Sequence, residues 1–467
     1  MDKLPRLLAL LCGWLLGAVL FPGGTIPLPA QEPDPYAPFV AGTPPLEPQE
    51  QLKKFHLPPG FEIQLVAAEP QIAKPINLTF DRHGRLYATC TLEYPFPVPE
   101  GTPGRDFVAR ITIAPGGKAA QVERVVTGLN IPIGVEPVEE RLLVWSIPAV
   151  SQYRDRDGDG RYESGRKLLT GFEYRDTHGM INSLSYWVDG WVYACHGYAN
   201  RSRAQGHDGS QIVMHSGNTF RFRPGGARLE HFTFGQVNPF GLAWDRWGQL
   251  YSADCHSRPA YLLLPGAYYP SFGRPHDGLG FGPELMRHSH GSTAIAGVAC
   301  YLGEQFPEEF RHNLFIGNPV TGRVNRDRLL RRGASYRGEE MPDLLRCDDP
   351  WFRPVDVELG PDGALYIADF YNRIIGHYEV PLDHPGRDRH RGRIWRIVYT
   401  GPKPHRPASP PPDLTRQSTA RLVENLGHAN LTLVRLSVHE LAARRAEEVM
   451  PLVQRLFAAP SAPQQRA

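Results

Sequence analysis

One turn-and-strand phrase recurs along the chain and limits what it can fold into: Asp81-Arg82-His83-Gly84-Arg85-Leu86-Tyr87, Val188-Asp189-Gly190-Trp191-Val192-Tyr193, Asp245-Arg246-Trp247-Gly248-Gln249-Leu250-Tyr251 and Pro361-Asp362-Gly363-Ala364-Leu365-Tyr366. An Asp-Gly or Asp-x-x-Gly turn followed by an alternating strand is hairpin chemistry, and its repetition over hundreds of residues indicates small sheets repeated around an axis. Aligned positions just before these turns are Asn77, Gly134, Asn182, Gly241, Gly297 and Asp356, separated by 57, 48, 59, 56 and 59 residues. Six anchors predict an all-β, six-bladed propeller. Phe61–Val66 and 392–399 both alternate, so they are expected to pair and close the ring, because an open ring would leave long unpaired edges.

Gly (47) and Pro (46) are as frequent as a turn-rich β protein requires, and 41% hydrophobic residues in 467 suffice for a large core. A net charge of +2 from 51 basic and 49 acidic side chains argues against nucleic acid as a partner. Residues 1–30, with Lys3 and Arg6 before an apolar run from Leu7 to Phe21, read as a signal peptide, an uncleaved anchor being the alternative. An exported protein is expected, periplasmic or membrane-associated through its N-terminus. A Pro-rich linker at 31–60, the propeller at 61–400, a second Pro-rich linker at 401–412 and a helical hairpin at 413–460 complete the layout. The hairpin has the look of a first HEAT-like repeat, unable alone to bury its apolar face. Cys90, Cys195, Cys255, Cys300 and Cys347 lack metal spacing and are expected to be buried thiols, with room for one disulfide. There is no C-x-x-C-H for haem attachment.

Asp155, Asp157 and Asp159 alternate ahead of Gly160, with Glu163 following, which is the first half of a calcium loop. Position 12 is Arg166, however, and a solvated Asp-Gly turn is the competing reading. His178, just before an innermost strand, is a candidate general base, although a single histidine is more often structural. Asn238-Pro239-Phe240-Gly241 forms a rigid turn that could aim an amide at a ligand. Asp254-Cys255-His256 and the pair His288 and His290 add imidazoles near strand ends; the pair is a weak metal signal for which a solvated loop is expected. Arg353 could hold a carboxylate, with Asp356 orienting it.

These stretches, together with Tyr301-Leu-Gly-Glu-Gln-Phe306-Pro307 and Arg353-Pro-Val-Asp356-Val357, resemble the soluble quinoprotein sugar dehydrogenases, six-bladed propellers that bind pyrroloquinoline quinone (PQQ). Residues 57–400, through Pro58-Pro-Gly-Phe-Glu62, the Asp-rich loop and Arg391-Gly-Arg-Ile-Trp-Arg396, are similar to the bacterial membrane-bound dehydrogenase family, whose propeller precedes HEAT repeats and often a c-type haem domain. The resemblance implies His178 as the base that takes a sugar or polyol hydroxyl proton, Asn238, Arg353 and Asp356 as cofactor ligands and a c-type haem protein as electron acceptor, while the carboxylate spacing of the Asp-rich loop adds Ca²⁺ as an expected cofactor. Val237 and Val355 depart from the pattern, standing where sugar dehydrogenases usually carry arginine. A non-catalytic carbohydrate-binding or scaffold propeller is the alternative, and a lactonase-like hydrolase with axial Ca²⁺ on Asn182, Asn238 and Asp356 is a third reading.

Overall fold

The computed structural model describes residues 34–163, 165–272, 280–292, 294–376, 379–402 and 408–458; the expected signal peptide lies outside them. The recurring phrase has a simple physical basis. In each copy the turn Asp accepts a hydrogen bond from the Tyr hydroxyl on the strand that follows: Tyr87 to Asp81 (3.2 Å), Tyr193 to Asp189 (2.7 Å), Tyr251 to Asp245 (3.1 Å) and Tyr366 to Asp362 (2.9 Å). The same carboxylates accept turn N–H groups, and Gly84, Gly190, Gly248 and Gly363 adopt the positive φ that the turns need. Each hairpin is thus locked by its own side chains.

Six sheets result among the described residues, antiparallel except where Glu230–Gly235 pairs in parallel with Tyr268–Tyr269. Their innermost strands are Pro75–Phe80, Gly134–Val138, Ile181–Tyr186, Pro239–Trp244, Ala296–Cys300 and Pro354–Leu359, and each carries one of the six anchors. The sixth blade is closed by Phe61–Ala68 pairing with Arg393–Tyr399, with Phe61 opposite Tyr399 and Leu65 opposite Trp395. The expected ring closure is therefore present. Neighbouring blades are stitched at the anchors: Asn77 Nδ2 donates to Asp356 Oδ2 (3.1 Å), Val135 N donates to Asn77 Oδ1 (3.1 Å) and Gly241 N donates to Ser183 Oγ (2.9 Å). Gly241 and Gly297 sit where blades touch; a Cβ on Gly241 would lie 2.8 Å from the Gly297 Cα.

The helices are α1 (Pro48–Leu52), α2 (Thr419–Asn425), α3 (Leu431–Ala443) and α4 (Ala446–Ala458). Ser418 and Asn430 cap α2 and α3 by accepting from the N–H groups of Arg421 and Leu433. The expected hairpin is thus three helices, and α3 has its own covering surface: it lies across one end of the propeller axis. Asn430 Nδ2 donates to Gly360 O (2.9 Å), Thr432 Oγ1 to Leu359 O (2.8 Å), and Arg435 Nη1 meets Glu136 Oε1 at 2.9 Å. All five described cysteines are free thiols, four of them buried. Among the described residues no helix is long and apolar enough to cross a membrane.

Candidate active site

The axis holds two cavities. At the helix-covered end a space of about 80 Å³ is lined by all six innermost strands and by Leu431, Thr432 and Arg435. Three carboxylates face it: Glu136, Asp356 and Glu358. Burial raises all three, Asp356 to about 6 and Glu358 to about 8, while Arg435 pulls Glu136 and Glu358 down. Asp356 accepts from Asn77 Nδ2 and from Leu78 N (2.7 Å), so its oxygens join blade six to blade one.

The other end opens into a cavity of about 360 Å³. Its walls are mostly apolar, with Ile76, Tyr94, Ile133, Phe240, Ile295 and Phe370 prominent, and its polar groups are few: Thr177, His178, Asn238, His256, Ser292 and Glu379. His178 and Asn238, from different blades, therefore share one space. His178 Nδ1 lies 3.2 Å from Asp176 Oδ1, which also accepts the His178 backbone N–H, and Tyr94 packs edge-on against the imidazole at 5.2 Å. Behind this loop the fully buried Asn200 donates to Asp176 O (2.8 Å) and Gly179 O (2.9 Å). Asn238 is set by Asp254, whose carboxylate accepts from the N–H groups of Val237 (3.0 Å) and Asn238 (2.8 Å); burial pushes the Asp254 carboxyl up to about 6. Burial also lifts the neighbouring Cys255 thiol to about 12, which favours its protonated form. His256 holds a φ of 119°, a strained value for a non-glycine residue that concentrates at ligand-contacting sites. Sequence reasoning missed Tyr94, Asn200, Asp254 as a positioning residue and Glu379; only an Asp recurring at the end of a blade's second strand, as at Asp254 and Asp369, could have signalled one of them.

The other expected cofactor residues lie elsewhere. Arg353 is buried but does not line the cavity: its guanidinium donates to Asn372 O (3.0 Å) and Pro319 O (2.7 Å). Asp356 faces the helix-covered cavity instead, because a bulge between Pro354 and Asp356 leaves Val355 on the open side. Nor do Asn182, Asn238 and Asp356 line one space: Asn238 lines the open cavity, Asp356 the helix-covered one and Asn182 neither. No Arg or Lys is among the described residues lining the open cavity. Lys74, buried behind Phe370, pairs with Asp388 at 2.7 Å, and Arg387 donates to the Gly376 and Val380 carbonyls. A tri-anionic quinone such as PQQ needs cationic partners, and the described lining, with Glu379 and no cation among the described residues, does not fit it.

Asp155, Asp157 and Asp159 do come together, each offering an oxygen within 4.8 Å of the others. Asp155 accepts from Gly158 N and Gly160 N, a tight loop with its carboxylates turned inward. Glu163 is outside this cluster and caps Arg156 N instead (3.2 Å). The loop lies on the rim of blade two and lines neither cavity, so a cation there would be structural. The His288 and His290 segment is not the solvated loop expected: His290 is buried, and both imidazoles meet Asp327.

Among solved structures, the chain is similar to a Thermus thermophilus protein named as an oxidoreductase (glucose dehydrogenase), at 18% identity over 73% of this chain and 100% of that one, with a TM-score of 0.52. A PQQ-bound aldose sugar dehydrogenase from Streptomyces coelicolor (14% identity, 73% and 99% coverage, TM-score 0.48) and the PQQ domain of a Coprinopsis cinerea pyranose dehydrogenase (14%, 74% and 97%, TM-score 0.47) are also similar. At these identities the likeness is one of fold. A search of the curated proteins gives no match. The family model described as a domain of unknown function, DUF7133, matches residues 47–401, most of the chain and its whole propeller, so the protein belongs to that family.

Proposed function

We propose that the open axial cavity is the active site of a dehydrogenase-type oxidoreductase acting on a hydroxyl-bearing small molecule, with His178 as the general base that takes the hydroxyl proton and a bound two-electron organic cofactor, less anionic than PQQ, as the acceptor of the hydride. The observation that carries this reading is His178 lining a mostly apolar, open-ended cavity together with Asn238, while Asp176 Oδ1 holds the His178 Nδ1 at 3.2 Å. A carboxylate that accepts from Nδ1–H fixes the tautomer in which Nε2 is basic, and it stabilises the imidazolium formed when the substrate hydroxyl gives up its proton. Asn200 and Asp254 hold the two polar elements in place, and Tyr94, Phe240 and Phe370 supply flat faces against which a sugar ring or another alcohol can stack. The sequence expectation of a sugar or polyol fits those faces, while the scarcity of polar groups favours an alcohol with a substantial apolar face. Export and transfer of electrons to a c-type haem protein belong to the same proposal.

A non-catalytic binding propeller is the second reading, favoured by one observation: the absence of lining cations among the described residues. A screen of alcohols, polyols and sugars, read as reduction of a soluble dye with and without PQQ and Ca²⁺, separates the two. Turnover by the wild type that falls about 10² to 10⁴-fold in His178→Ala supports the dehydrogenase. Ligand-dependent thermal stabilisation with no dye reduction under any condition establishes the binding propeller instead.

A further inference from the structure

Asp327 lies on Arg323–Arg332, the third strand of blade five, and its side chain is fully buried. A carboxylate in a sheet interior is costly unless a positive charge meets it. Among the described residues its ion-pair partners are two imidazoles: His288 Nε2 lies 2.7 Å from Oδ1 and His290 Nε2 lies 2.8 Å from Oδ2. The same ring nitrogen of two residues spaced i, i+2 is thus presented to the two oxygens of one carboxylate, and the three ligand atoms all fall within 4.8 Å. The outer contacts are those that orient metal-bound histidines. His290 Nδ1 faces Glu340 Oε1 at 3.5 Å from the neighbouring strand, and the His290 carbonyl accepts from Asn318 Nδ2 at 3.2 Å. His290 is enclosed, its side chain 1% exposed, whereas that of His288 is 20% exposed and forms the solvent side. None of the three lines the axial cavities.

We propose that His288, His290 and Asp327 form a site for a divalent first-row transition metal of the Zn²⁺ type, with Glu340 orienting His290 and a water-accessible position beside His288. Two neutral imidazoles and one carboxylate are the donor set that such ions take with a position left open. Coordination at about 2.0 to 2.2 Å parts the hydrogen-bonded atoms by a few tenths of an ångström, and the partly exposed His288 ring can supply that movement.

The test is Zn²⁺ titration by calorimetry of the chelator-treated full chain, with Co²⁺ visible absorption to report the ligand set. One equivalent of Zn²⁺ is expected to bind at this site, more weakly in His288→Ala, with Glu340→Gln weakened by about 10 to 100-fold. Because the buried positions could fail to fold on substitution, His288→Ala at the exposed edge carries the decision. A wild type without stoichiometric uptake, or a His288→Ala variant binding as tightly as wild type, overturns the site and leaves Asp327 as a hydrogen-bond and ion-pair partner of the two imidazoles only.

Discussion

Replacing Arg435 with Met tests how the helical segment is held on the propeller. Arg435 Nη1 sits 2.9 Å from Glu136 Oε1, with both side chains nearly buried, and Arg435 Nη2 is 4.0 Å from Glu358 Oε1. Methionine keeps most of the volume and removes the only positive charge facing three carboxylates in the described cavity lining. Breaking a buried pair from one side costs about 3 to 5 kcal/mol. For a chain of 467 residues the unfolding entropy is about 1 kcal/mol/K, so the melting temperature should fall by about 3 to 5 °C. The sign with pH follows from the raised carboxyls. Between their ordinary values and their raised folded values, Glu136 and Glu358 bind protons in the folded state that the unfolded chain does not bind, so stability rises as pH falls through that window. Without Arg435 both rise further, so the deficit should grow with pH and be larger at pH 8 to 9 than near pH 5. Scanning calorimetry of wild type, Arg435→Met and Arg435→Met/Glu136→Gln across that range is the assay, the double variant recovering most of the loss. An unchanged melting temperature at pH 8, or a deficit that grows on acidification, refutes the reasoning.

Gly241→Ala should destabilise by about 1 to 3 kcal/mol, read by denaturant unfolding, because its φ is 92° and the new Cβ meets backbone of the next blade. Asp254→Ala removes the acceptor for Val237 N and Asn238 N and should abolish ligand-dependent thermal stabilisation at the open cavity while the far-ultraviolet spectrum stays that of the wild type. We propose that Ca²⁺ binds Asp155, Asp157 and Asp159; millimolar Ca²⁺ should then raise the melting temperature of the wild type and leave that of Asp157→Ala unmoved.

Turn chemistry and strand period are local properties, so the Asp-Gly-Tyr hairpins, the six anchors and the partnership of 61–66 with 392–399 could be read directly from residue order. Each hairpin carries its own lock, as Tyr251 to Asp245 shows, and needs no distant contact to declare itself. Which way an inner-strand side chain faces was not readable. Five of the six innermost strand pairs shift register near the anchor, at Pro75/Leu78, Asn182/Ser185, Phe240/Leu242, Ala296/Val298 and Pro354/Asp356. A bulge re-aims every side chain beyond it, and that is how Asp356 came to the helix-covered cavity and Val355 to the open one. Long-range partners were equally hidden: Arg353 reads as a free cation until Pro319 and Asn372 bring their carbonyls to it, and His290 reads as a loop residue until Asp327, 37 positions on, is folded against it. Residue order by itself determined the propeller, its blade count and its closure. Tertiary structure alone decided which polar groups share a cavity, because that depends on bulges and on contacts between blades that no local pattern encodes.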